Sequence, residues 1–186
     1  MTKKKYERAE TVAYDPGRQR RDGIDVSVKL TPAVHSKALA IKRMTGVADL
    51  KEVFLAALDK HVETLRLIME DYRIFAAPSD FSDDNTVKMT PELKSVDASE
   101  VDDSDVITEM RFGFEVAQLK LIAEIQDMLM LGSTDISTPV SQAVMAYFWM
   151  LDKQAKGFPS IHAVKDAPPR CVELLFDRST LLIEGG

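Results

Sequence analysis

The sequence predicts a mainly α chain built from two similar strand–helix–helix units, and three observations carry that reading. Ile24-Asp25-Val26-Ser27-Val28-Lys29-Leu30 alternates apolar and polar residues, with β-branched residues dominant, as a strand with one buried face does. Thr31-Pro32 follows at once, a capping residue and then a proline suited to a first helical turn, and two amphipathic segments come after it. The same order then returns later in the chain. Adding 84 takes Asp25, Ser27 and Lys29 to Glu109, Arg111 and Gly113, and takes Val26, Val28 and Leu30 to Met110, Phe112 and Phe114. For the second helix the offset becomes 87, taking Val53 to Val140 and Ala57 to Val144. The repeat lies in pattern rather than in letters.

Each element has a local cause. Residues 1–22 lack hydrophobic periodicity and contain the turn signal Asp15-Pro16-Gly17, so they read as a basic flexible arm. The first unit spans 23–76. Its first helix runs from Pro32 to about Met44, with Val34, Ala38, Leu39 and Ile41 as the apolar stripe, and Gly46 suits the left-handed position after it. Asp49 and Glu52 have capping-box spacing, and the helix they open keeps its apolar period to about Ile74. Residues 77–105 form an acidic linker with a short strand or turn around Thr86 to Met89. The second unit spans 106–157. Its strand is Met110 to Phe114, and its first helix runs from about Glu115 to Leu131 and stops at Gly132. Its second helix opens at Thr138-Pro139 and stops at Gly157 and Pro159. The tail, 158–186, carries Cys171 to Phe176 and Leu181 to Ile183 as two short strands or a strand and a helix, packing on the core.

Composition narrows the function classes. The chain is 45% hydrophobic and 29% charged, as globular proteins are. No apolar run approaches the roughly 20 residues that cross a bilayer. The single cysteine, Cys171, cannot form an internal disulfide, and a cytoplasmic location with no membrane partner is expected. Net charge is −6, but residues 1–21 hold seven Lys/Arg against three acids and residues 77–109 hold two Lys against ten acids. A basic arm and an acidic connector therefore flank a nearly neutral body. His35, His61 and His162 share no metal-ligand spacing with one another or with Cys171. No Ser/His/Asp set, phosphate loop or carboxylate pair stands out, so neither catalysis, metal nor cofactor is expected. Tyr147, Phe148 and Trp149 read as core rather than as a stacking platform.

Val26-Ser27-Val28-Lys29-Leu30-Thr31-Pro32, followed by two helices joined around Gly46, resembles the ribbon-helix-helix DNA-binding family of Arc and MetJ. The resemblance covers residues 24–70 best and 107–157 through the repeat, in the tandem arrangement of its TraY-like members. One strand and two helices are too few residues to bury a core alone, whereas two copies suffice. The resemblance implies an intrachain pseudo-dimer, a two-stranded antiparallel ribbon plus four helices, either as a monomer or as part of a higher oligomer. A linker of about 30 residues spans roughly 30 Å, which permits intrachain pairing or exchange of units between chains.

What the resemblance implies for function is sequence-specific binding of double-stranded DNA through a ribbon in the major groove. The base-contacting residues are then Asp25, Ser27 and Lys29 from one strand and Glu109, Arg111 and Gly113 from the other. Lys29 and Arg111 suit guanine O6 and N7, while Asp25 and Glu109 suit cytosine N4 but repel phosphate. Phosphates would sit at the N-termini of the second helices, on Val47, Ala48, Asp49 and Lys51 and on Ser133, Thr134, Ser137 and Thr138, with Asp135 among the latter. The implied role is a plasmid transfer or partition accessory protein, with other such proteins as partners, or a transcriptional repressor. A protein-interaction scaffold on a degenerate core is the alternative. The two are separated by the ribbon face: DNA binding requires Lys29 and Arg111 exposed together beside basic flanks, scaffolding an acidic or covered ribbon. The arm reads equally as a phosphate-tracking tail or a solubilising end, and the acidic linker as a solvated spacer or, less simply, a DNA mimic.

Overall fold

The computed structural model describes residues 24–78, 86–89, 108–132, 135–166 and 169–174. The basic arm, most of the acidic linker, Ser133 and Thr134, and the expected Leu181–Ile183 segment lie outside them. The described elements run in the order β1 (Ile24–Leu30), α1 (Pro32–Thr45), α2 (Leu50–Met69), β2 (Arg73–Ala77), β3 (Val87–Lys88), β4 (Thr108–Phe114), α3 (Val116–Met128), α4 (Ser137–Ala155), β5 (Ser160–Asp166) and β6 (Pro169–Leu174).

The first half starts and stops where its capping chemistry directs. Thr31 Oγ1 accepts from the Val34 amide at 3.4 Å, and Pro32 opens α1. Gly46 closes it at φ 69, donating its N–H to the Lys42 carbonyl, a left-handed conformation that glycine adopts without a Cβ penalty. Asp49 Oδ1 accepts from the Glu52 amide at 2.9 Å and caps α2, while Glu52 Oε2 reaches past the capping residue and accepts from the Ala48 amide at 3.0 Å. Helix α2 ends at Met69 rather than near Ile74. Asp71 turns left-handed at φ 66, the Tyr72 amide bonds back to the Leu67 carbonyl, and the chain leaves as β2.

Strands β1 and β4 pair antiparallel, with Ser27 opposite Arg111, Lys29 opposite Glu109 and Asp25 opposite Gly113. Because 27 and 111 are also related by the repeat offset, the register has a local two-fold centre at this pair. The inner face of the ribbon presents Val28, Leu30 and Phe114, all fully buried, with Val26, Met110 and Phe112 packed beside them. Phe112 meets Phe54 of α2 edge-on at 5.0 Å. The four helices complete this first core. Ala38 and Ile41 of α1 and their counterparts at offset 84, Ile122 and Ile125 of α3, are each buried. Arg66 of α2 and Glu124 of α3 form a salt bridge at 2.6 Å, and the Lys37 ammonium of α1 lies 3.8 Å from the centre of the Phe148 ring of α4.

The expectation of a mainly α fold with a single two-stranded ribbon is corrected by a second sheet. Strands β3-β2-β5-β6 form a four-stranded antiparallel sheet, so the described fold is α+β with two sheets. Ile74, expected at the end of a helix, is a strand residue, and the short strand or turn expected around Thr86 to Met89 is β3. The physical reason is a second buried surface. Ile74, Ala76, Ile161, Ala163 and Leu174 alternate inward from this sheet and close a separate core with Tyr72, Met89 and two residues of α4, Ala146 and Met150. Helix α4 accordingly has two apolar sides, the first core holding Val140, Ala143, Val144, Tyr147 and Leu151. At the matching positions of α2, 87 residues earlier, Asp59 and Glu63 stand where α4 has Ala146 and Met150. Two boundaries also move. Helix α3 stops at Met128, with Met130 at φ 53, before Gly132, and α4 begins at Ser137, so Thr138 lies inside its first turn and is not its cap.

His61 on α2 is 8% exposed, and neither ring nitrogen has a hydrogen-bond partner among the described residues. Burial alone pushes its pKa down from 6.5 to about 4. The unfolded chain therefore binds a proton that the folded chain refuses between those values, and stability falls as pH drops through this window. We expect the unfolding free energy to fall by about 2 kcal/mol from this residue between pH 6.5 and 5, and a His61→Leu variant to lose that component in denaturant titrations at the two pH values. Met150 is fully buried in the second core, so Met150→Ala should cost about 2–5 kcal/mol, whereas Met145→Ala on the more exposed side of α4 should cost less than about 1 kcal/mol by the same titration.

Candidate nucleic-acid interface

The period-two alternation of two paired strands decides what the ribbon offers outward. With the apolar residues turned to the helices, Asp25, Ser27 and Lys29 of β1 share the opposite face with Glu109, Arg111 and Gly113 of β4. Asp25, Lys29, Glu109 and Arg111 are exposed, and Ser27 and Gly113 half-buried. All six expected base-contacting positions thus lie on one surface. It carries two acids and two bases.

Their interactions are uneven. Ser27 Oγ donates to Glu109 Oε1 at 2.5 Å. That bond holds the Glu109 carboxyl below its ordinary pKa against an opposing effect of desolvation, and the Lys29 and Arg111 charges add to the lowering. Glu109 is therefore an anion at neutral pH. The Lys29 ammonium and the Arg111 guanidinium hold no salt bridge among the described residues. Their donors stay available on the open face.

The expected phosphate positions divide. At α2, Val47, Ala48, Asp49 and Lys51 do surround the helix N-terminus, but the Glu52 amide of its first turn and the preceding Ala48 amide are already engaged by the carboxylates of Asp49 and Glu52. An incoming phosphate would meet those two negative charges. At α4, Ser133 and Thr134 lie outside the described residues. Ser137 is buried, and its hydroxyl accepts from the Lys29 backbone amide at 3.0 Å, while its own amide bonds to Asp135 Oδ1 at 2.9 Å. Ser137 therefore ties the ribbon to α4. Thr138 is half-buried in the first turn.

The sequence reading missed one contact between reactive side chains. On the outer face of the four-stranded sheet, Cys171 Sγ lies 3.6 Å from His162 Nδ1. No linear spacing announces it, because the pair arises from the β5–β6 register, in which His162 faces Glu173 and Val164 faces Cys171. Among the described residues no group of three His, Cys, Asp or Glu side chains is arranged to hold a metal ion, and no helix is long and apolar enough to cross a membrane.

Comparison with known proteins adds no relative: no family model, no curated protein and no solved structure matches the chain. The contact between Ser137 and the ribbon is open to a direct check. Ser137→Ala should destabilise the fold by about 1–2 kcal/mol and speed hydrogen exchange at the Lys29 amide, with smaller changes at the amides of Val26 and Val28.

Proposed function

We propose that the chain binds double-stranded DNA sequence-specifically through the β1–β4 ribbon in the major groove, as a plasmid transfer or partition accessory protein or a transcriptional repressor. The observation that carries this reading is the outward ribbon face, where Lys29 and Arg111 are exposed together beside hydrogen-bond acceptors. The major groove admits a two-stranded ribbon, and its base edges offer both acceptors and donors to such a mixed face. In the sequence Arg18, Arg20 and Arg21 lie a few residues before β1, and basic residues attract phosphate, which the evenly charged ribbon face does not. Within the α+β fold, the ribbon and its flanking helix pairs support kinship with the ribbon-helix-helix proteins.

A protein-interaction scaffold is the second reading. It is favoured by the balance of charge on the ribbon and by the carboxylates at the start of α2, both unusual on a surface that meets phosphates.

Fluorescence anisotropy separates the two. The full chain is titrated with a random duplex and with duplex from its own upstream region, at two salt concentrations, alongside Lys29→Ala/Arg111→Ala. Tighter binding to the upstream duplex, weakened by salt and reduced by roughly 10-fold or more in the double variant, is the expected result. Binding that ignores the double substitution would transfer the contact to the basic arm. Absence of binding to either duplex at low salt would favour the scaffold.

A further inference from the structure

The ribbon has a two-fold register but not a two-fold surface. About the Ser27–Arg111 centre, the position of Lys29 corresponds to that of Gly113, and the position of Glu109 to that of Asp25. One end of the face therefore carries the Lys29–Glu109 pair, and the other carries Asp25 opposite a glycine. The central residues lean the same way. Ser27 Oγ donates to Glu109 rather than toward Asp25, and Glu109 is the acid that the Lys29 and Arg111 charges act upon. The backbone at this end is also anchored, since the Lys29 amide is bound to Ser137 at the start of α4.

We propose, on the reading that the ribbon enters duplex DNA, that it recognises a non-palindromic site in which Lys29, Glu109 and Arg111 read one half and the Asp25–Gly113 end reads little of the other. Glu109 is the specificity-determining residue of the half that is read. A carboxylate accepts hydrogen bonds and donates none, so it selects an exocyclic amine, cytosine N4 or adenine N6, and rejects guanine O6 and N7. Lys29 and Arg111 have the opposite preference and select those guanine acceptors. Acid and base side by side thus favour a step that presents an amine next to a guanine edge. Ser27 fixes the carboxylate rotamer, which limits how much ordering is left to binding. At the other end Gly113 lets the backbone approach but supplies no side chain opposite Asp25, whose carboxylate repels phosphate.

The test is selection of duplexes from a random pool by the full chain at low salt, with wild type, Glu109→Gln and Asp25→Ala, each checked for unaltered thermal unfolding. The expected motif is non-palindromic. Glu109→Gln, which can donate as well as accept, changes the preferred base in the informative half and lowers the penalty for a wrong base there from roughly 10-fold to little, while Asp25→Ala leaves the motif as it was. A palindromic motif with equal weight in both halves overturns the proposal and leaves DNA binding standing, as does a motif that Glu109→Gln does not alter. Failure to enrich any duplex overturns DNA readout by the ribbon, and this proposal with it.

Discussion

Everything in this fold leans on one helix with two apolar sides. An ordinary surface helix buries one stripe and solvates the rest. Helix α4 buries Val140, Val144, Tyr147 and Leu151 against the ribbon and the other helices, and Ala146 and Met150 against the four-stranded sheet. The sheet's inner face is narrow, built from Ile74, Ala76, Ile161, Ala163 and Leu174, and has little to pack on except α4 and the residues around the end of α2. The ribbon is attached to the same helix by the hydroxyl of Ser137. Two separate cores thereby share one helix.

The sequence made the first core legible and concealed the second, for reasons visible in particular residues. Strict alternation in Ile24 to Leu30, the Thr31-Pro32 start, Gly46 and the Asp49 cap are signals of backbone conformation, and each appears where its chemistry requires. The outward face of the ribbon follows from them, since a strand with one buried face has only one other. The sheet had no comparable signals. Ala76, Ala77 and Ala163 are weak strand formers, β3 is two residues long, and Arg73 to Ala77 follow so closely on α2 that the apolar period runs into them. Strand identity there is imposed by the pairing of β2 with β5, a long-range contact that no window of sequence contains. A trace did exist in the repeat itself: Ala146 and Met150 stand where the first copy has Asp59 and Glu63. Two acids on α2 against two apolar residues at the corresponding positions of α4 mark the side of α4 that the sheet covers.

The candidate site was legible in position and not in state. Alternation indicated which six residues share the ribbon's open face, but not how they would divide among themselves. That division depends on antiparallel register, which sets Lys29 against Glu109 and brings Ser27 within reach of the same carboxylate. The helix N-termini show the converse. Their sequence suits an anion, yet Asp49, Glu52 and Asp135 already occupy amide donors there, so local carboxylates do what an external phosphate might have been asked to do.

The two-fold centre at Ser27 and Arg111 has a meaning for how such a surface changes over generations. When an assembly of this kind is made from two copies of one chain, every substitution is made twice, and an alteration that helps one end of the ribbon is forced upon the other. Held within a single polypeptide, the two strands mutate independently. Gly113 can lack a side chain where Lys29 carries a charge, and Met150 can be apolar where Glu63 is an acid. Each end of the ribbon is thus free to change without the other.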